Sequence, residues 1–501
     1  MDLTFQNKTV TYLKPVMREL RTQEQTQELI VPDSFPDVGR IVSCSAQATL
    51  RGKECSTGSV VISGAVQAVC LYEPETEGGA KSLEAYLPFT VRMDSPGVSP
   101  SVQVVTRLRV KSCEARMLNS RKVILRILIA CLAEGYEQTE QTLCEVQDAP
   151  PELQQKLREY TLILPRQTGE KSFSMTEEAD IPEEKPAASR IVLCTMLPGI
   201  TEKKMVGGKA LFKGKLLCAC LYQTEDGLFE SVTQQFPFSQ FCEMSEEESE
   251  AELAVDPILT GFDAQITAEG RRLVISADIT AQCLASDAQV VTVCEDAYVT
   301  KGELKPVWTE YDFSCRLDRQ QMSATVRRNL EAHGKGVLWS DFWLDFPETE
   351  QNGDTVRISA PTEIQAVYYD EEGRLQAVRA KAEAECESAL HADALCVVSN
   401  ALTADSYVLL GASGAEARVD TEVCMASFAP EALRTLSGGQ IEEKTDGAAE
   451  KPVVILKVIS ARRSVWDLAK EYGTSVEAIR AANGSLHTEA EAGELLLIPK
   501  C

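Results

Sequence analysis

The residues of this chain best suited to recognition chemistry stand together near its C-terminal end: Arg462, Arg463, Ser464, Val465 and Trp466. Two adjacent guanidinium forks match carboxylates in a planar, two-point geometry. An indole beside them adds a flat apolar anchor with one N–H donor. The other candidates are thiols. The chain has 17 cysteines, most of them among apolar neighbours, as in Val69-Cys70-Leu71 and Ala130-Cys131-Leu132. Free cysteine behaves there as a small buried hydrophobe. Cys218-Ala219-Cys220 is a close pair that could hold a soft metal, but neither a CxxC motif nor a histidine cluster accompanies it. It is read as strand core, and no metal or cofactor is expected.

Catalytic constellations are not found. GxSxG, HExxH and the phosphate-binding glycine loop are missing, and Gly208 to Lys215 has the wrong spacing for the last of these. His333, His391 and His487 have no Asp or Cys partner at motif spacing and read as surface or structural residues. No catalytic residue is assigned, and a non-enzyme is expected. The formal charge of −26 argues against nucleic acid as a partner, because phosphate binding needs a surplus of Lys and Arg. The start lacks a basic segment followed by an apolar run. The most apolar stretch, Val123 to Ala133, is too short to span a bilayer and carries Arg126. The expectation is a chain with reduced thiols that stays in the cytoplasm, without a transmembrane segment.

What must position these residues is a repeated β framework. On a shift of 150 residues, Pro32, Pro36, Arg40, Ile41, Val42 and Cys44 fall on Pro182, Pro186, Arg190, Ile191, Val192 and Cys194. Gly64, Cys70, Leu71 and Tyr72 fall on Gly214, Cys220, Leu221 and Tyr222, and Arg121 and Ile129 on Arg271 and Ile279. Pro88-Phe89 matches Pro237-Phe238 one residue out of phase. Three patches in one register imply duplication. A worn third copy is expected, with Ala366-Val367-Tyr368-Tyr369 standing for Ala219-Cys220-Leu221-Tyr222 and Ala394 to Val398 for the late apolar strand.

Each copy reads as β. Phe212, Gly214, Leu216, Cys218, Cys220 and Tyr222 alternate with outward positions that include Lys213 and Lys215. Turn clusters such as Glu225-Asp226-Gly227 separate the runs. The expected fold is mainly β, with sandwich-like repeats. Expected boundaries are a lead-in at 1–28, repeats at 29–147, 178–300 and 301–428, a flexible linker at 429–452 and a small module at 453–501. The charge run 245–250 reads as a solvated loop.

In the last segment Val453 to Leu456 reads as a strand. Ser464 caps a helix bearing Val465, Leu468, Ala469 and Tyr472, and Gly473 ends it. Ser475 caps a second helix that stops at Asn483-Gly484, and Leu495 to Pro499 closes as a strand. This βααβ order, with Ser464 to Ala469, Tyr472 to Ser475, Ile479, Asn483 and Gly493 to Pro499, resembles a LysM domain. The resemblance implies binding of N-acetylglucosamine polymers such as peptidoglycan. Arg462 and Arg463 depart from the Gly-Asp usual in that family before the first helix. They point instead to a carboxylate-bearing protein. The expected partner-binding residues are Arg462, Arg463, Ser464, Val465, Trp466, Leu468, Asn483 and Leu486. The module has six basic and six acidic residues, so the net charge lies in residues 1–452.

The opening signature Ile30-Val31-Pro32-Asp33-Ser34-Phe35-Pro36-Asp37-Val38-Gly39-Arg40-Ile41, with its repeats and the terminal module, resembles the SPOCS proteins of spore-forming clostridia. That resemblance implies a spore-coat scaffold whose LysM domain contacts a coat morphogenetic ATPase (stage IV sporulation protein A). The place implied is the mother-cell cytoplasm at the forespore surface, with any membrane association made through that partner. The alternative is a peptidoglycan-binding protein of the cell wall or spore cortex.

Overall fold

Phe212, Leu216, Cys218, Cys220 and Tyr222 are buried along one face of a strand while Lys213 and Lys215 point out, as the alternation requires. The same logic runs through the computed structural model, which is mainly β. It describes residues 1–501 except 77–78, 245–250, 268, 392, 395, 404–405, 412–413, 444–452, 485–487 and 501. The charge run 245–250 therefore lies outside the described residues.

The first unit comprises β1 (Thr4–Ile30), β2 (Val38–Ser56), β3 (Ser59–Pro74), β4 (Lys81–Asp94), β5 (Gln103–Asn119) and β6 (Lys122–Gln147). They form two antiparallel sheets, β1-β6-β5 and β2-β3-β4. Val60, Ile62 and Tyr72 of one sheet share a core with Leu125, Ile127 and Ile129 of the other. The second unit repeats this with β7 (Leu153–Asp180), β8 (Ala188–Val206), β9 (Lys209–Thr224), β10 (Phe229–Glu243), β11 (Glu252–Ile266) and β12 (Arg272–Val299). Its sheets are β7-β12-β11 and β8-β9-β10.

The third unit has β13 (Glu303–Leu330), β14 (Gly336–Leu344), β15 (Glu348–Asn352), β16 (Thr355–Tyr369), β17 (Leu375–Ala389), β18 (Cys396–Thr403), β19 (Tyr407–Gly411) and β20 (Gly414–Glu442). Both β18 and β19 pair with β20, and both β14 and β15 pair with β16. Two strands of the earlier units are thus each broken in two, and the topology is otherwise the same.

Five sequence expectations need correction. The lead-in 1–28 is β1, which pairs along its length with β6. The second unit begins at β7, so residues 153–177 belong to it. The stretch 429–442 is not linker, because β20 runs through it against β13 as far as Glu442. Of the stretch Ala394 to Val398, Leu395 lies outside the described residues and Cys396 to Val398 open β18, the position of β5 and β11; the late strand is β20. The tyrosine register also slips by one. Counted from the bulges at Val42, Val192 and Leu338, Tyr72, Tyr222 and Tyr368 are equivalent.

The repeated residues are the ones that shape each unit. Tyr72 Oη donates to Pro36 O at 3.0 Å and Tyr222 Oη to Pro186 O at 3.1 Å, closing the proline turn after the first strand. Arg121 donates to Val31 O and Phe35 O, and Arg271 to Lys185 O, on the same turns. Gly64 lies under the Phe89 ring and Gly214 under Phe238, where an added Cβ would come within 2.3 Å of either ring. Each pair is in direct register, so the phase slip in sequence is absorbed by the turn between the strands.

The three units close on one another. Each long hairpin, β1–β6, β7–β12 and β13–β20, carries a bulge beyond which it continues as a two-stranded arm. The arms meet in one core, where Tyr12, Leu162 and Phe313 stand four residues before the bulge in their strands and are fully buried. Burying such a side chain stabilises by about 1.5–3 kcal/mol. A second junction joins Leu71, Leu221 and Val367, again equivalent positions. Arg40 reaches Leu375 O of the third unit, Arg190 reaches Ser82 of the first, and Tyr369 Oη accepts from Phe229 N of the second. The start of the chain bonds to the end of β20 through Leu3 N to Gly439 O and Ile441 N to Met1 O.

Candidate functional site

The terminal module is built from β21 (Val454–Val458), β22 (Arg463–Ser464), α1 (Val465–Tyr472), α2 (Val476–Asn483), β23 (Glu489–Ala490) and β24 (Leu495–Pro499). The Ser464 hydroxyl accepts from Asp467 N at 3.1 Å, and Gly473 ends α1 at φ 63°. Ser475 caps α2 in the same way, and Gly484 follows it. β21 pairs antiparallel with β24. The strand, helix, helix, strand order expected from the sequence is observed.

The expected site residues divide by role. Val465 and Leu468 are buried in the module's own core with Ile479 and Ile498, so they hold α1 in place and offer no surface to a partner. Asn483 donates to Ile479 O and Leu497 O and accepts from Leu497 N, clipping α2 to β24. Ser464 is the cap. Leu486 lies outside the described residues. Arg462 is exposed and paired with Glu489 and Glu491. Arg463 meets Glu471 at 2.7 Å, and that hydrogen bond holds the Glu471 carboxyl below the usual range.

Trp466 is engaged within the chain. Its Nε1 donates to Asp296 Oδ2 at 2.8 Å, and Lys470 Nζ meets both Asp296 oxygens at 2.6 and 2.8 Å. Tyr298 packs edge-on to the Trp466 ring at 4.9 Å, and its hydroxyl donates to Thr474 O at 2.7 Å. Burial raises the Asp296 carboxyl, but the hydrogen bonds from Lys470 and Trp466 outweigh it and leave the group below its ordinary value. The module is therefore docked on the end of β12 by a carboxylate and an aromatic ring. Sequence reasoning missed Asp296 and Tyr298. They lie some 170 residues from Trp466, and no motif links them.

Thiols and buried charges serve the body. Cys194 joins Cys218 and Cys220 in a buried cluster with Sγ separations of 3.1–3.7 Å. Hydrogen bonding from Cys218 and Cys220, together with burial, holds the Cys194 thiol protonated. Its surroundings are apolar, including Leu216 and Ile275. Arg107 bridges Glu134 of its own unit at 2.7 Å and Asp256 of the second unit at 2.5 Å. A cavity of about 320 Å³ at the same seam is bordered by Lys53, whose ammonium donates to Val104 O and Gln282 Oε1. Among the described residues no helix is long and apolar enough to cross a membrane.

A body of sandwich-like β units with a common topology, tied together by their repeated residues, defines a repeat protein. Residues 37–118 and 187–267 match the family model described as "SipL, SPOCS domain". These segments span β2 to β5 and β8 to β11, so the first two units are similar to SPOCS domains, and the match suggests a sporulation-related protein. No curated protein and no solved structure matches the chain.

Proposed function

We propose that the chain is a non-enzymatic scaffold of spore-coat assembly and that its terminal module, read as a LysM domain, docks a coat morphogenetic ATPase. One observation carries the reading. The repeated signature residues Arg40, Tyr72, Arg121, Arg190, Tyr222 and Arg271 bond to turns and to neighbouring units. Repetition here builds a frame, as a scaffold needs.

On the module, the Arg462 and Arg463 forks face exposed carboxylates. Exposed pairs of this kind contribute about 0–1 kcal/mol, so a partner's carboxylate displaces them at little cost. The SPOCS match supports a role in sporulation.

The test is recovery of the purified ATPase on the immobilised chain. Recovery should fall with Arg462→Glu/Arg463→Glu and be lost on deletion of 453–501. Equal recovery by both variants and wild type would remove the module from the interface. Titration with chitin oligomers distinguishes the peptidoglycan reading, which requires saturable binding to the module.

A further inference from the structure

The module has one more face. Along the β21–β24 pair the side chains alternate strictly. Ile455, Leu496 and Ile498 pack inward on the helices. Val454, Leu456, Val458, Leu495 and Leu497 stand on the other side and are 39–65% exposed. Leu456 faces Leu497 and Val458 faces Leu495 directly across the strands, so the five form one continuous aliphatic ladder. The exposed ladder covers on the order of 450 Å², as large as the biggest apolar patches that monomers usually show.

We propose that this face is a self-association surface, on which two copies of the chain pack sheet to sheet about a two-fold axis. Three observations favour a second copy over other occupants. A two-fold contact brings like residues together, and the ladder has no charged side chain to meet its own kind. The module is neutral in a chain of net charge −26, so it is the part at which two copies approach with least repulsion. Pairing two such faces with their margins, where Val453 is 78% exposed, buries roughly 1,000 Å² in total, the threshold for a specific interface. A lipid surface is disfavoured because the ladder offers no aromatic or basic anchor. The α1 face is already turned to Asp296 and Tyr298, so docking on the second unit leaves the ladder open. This association does not depend on which partner the module binds.

Sedimentation velocity of the full-length chain over a wide concentration range tests it. A reversible monomer–dimer equilibrium is expected. Leu456→Glu/Leu497→Glu should weaken it about a hundredfold or more. Leu409→Glu, at an equally exposed leucine of the third unit, should leave it unchanged. Both substituted positions on the ladder face solvent in the monomer, and unchanged far-UV circular dichroism will show that the variant folds. A wild-type chain that stays monomeric at every concentration overturns the proposal. So does a dimer that survives the double substitution. A ladder variant that loses the ATPase while the wild type is monomeric assigns the face to that partner and also overturns it.

Discussion

Asp296→Ala should release the terminal module from the second unit, and the contact geometry sets the size of the effect. Asp296 accepts one hydrogen bond from the Trp466 indole and is bridged by Lys470. A hydrogen bond to a charged group contributes about 1.5–3 kcal/mol when shielded. Here the Asp296 side chain is 30% exposed and Lys470 44%, so screening reduces the ion pair to roughly 0.5 kcal/mol. The indole bond is the larger part, and the two together give about 1.5–2 kcal/mol, or a shift of ~10–30-fold in the docking equilibrium.

The assay is ¹⁹F NMR of the chain labelled with fluorotryptophan. It has four tryptophans, and Trp466→Phe assigns the signal of interest. In the wild type that signal should report a shielded ring. In Asp296→Ala it should move toward the solvent-exposed position and acquire a solvent isotope shift. The pH dependence has a definite sign. The Asp296 carboxyl is depressed in the docked state, so docking is fully present above the ordinary carboxylate range and is lost as pH falls through the depressed value. A Trp466 signal that is solvent-exposed in the wild type, or that Asp296→Ala leaves unchanged, would refute the reasoning.

Three further outcomes follow from the body. Arg107→Met leaves Asp256, 23% exposed, without its ion-pair partner and Glu134, 12% exposed, with Arg18 alone, and calorimetric unfolding should register a loss of about 3 kcal/mol. Gly214→Ala puts a methyl 2.3 Å from both Gly199 O and the Phe238 ring and should cost about 2–3 kcal/mol, whereas Gly199→Ala, with its nearest contact at 3.9 Å, should stay within about 0.5 kcal/mol of wild type in urea denaturation. Burial raises the Asp341 carboxyl despite hydrogen bonds from Ser45 and Gln365, so its stabilising contribution is present below the ordinary carboxylate range and is lost as pH rises through the raised value. Asp341→Asn should accordingly raise the melting temperature at neutral pH and remove that part of the pH dependence.

Much of the framework was legible because period-two burial and exact repetition are local signals. The Gly64 and Gly214 matches, the proline turns and the helix caps at Ser464 and Ser475 all mark backbone geometry that a few neighbouring residues decide. Strand length was not legible. β1 and β7 carry polar, half-exposed residues through their ends, as in Thr22 to Glu28 and Thr176 to Asp180, so the sequence reads there as lead-in or linker while the backbone pairs throughout. The third unit read as worn because Gly336 takes the place of Arg40 and Arg190, and Tyr369 makes the contact between units instead. The module's residues were found, but the burial of Val465 and Leu468 turns on which side of α1 packs into the module's core. The docking of Trp466 on Asp296 is a long-range contact with no sequence signature.

Calorimetric titration of the full-length chain bears most directly on the central claim that the module grips a protein. The titrants are the purified coat ATPase and an N-acetylglucosamine hexamer, each applied to the wild type and to Arg462→Glu/Arg463→Glu. The account expects saturable heat with the ATPase that the double variant loses, and none with the sugar. Saturable binding of the hexamer together with indifference to the ATPase would contradict it.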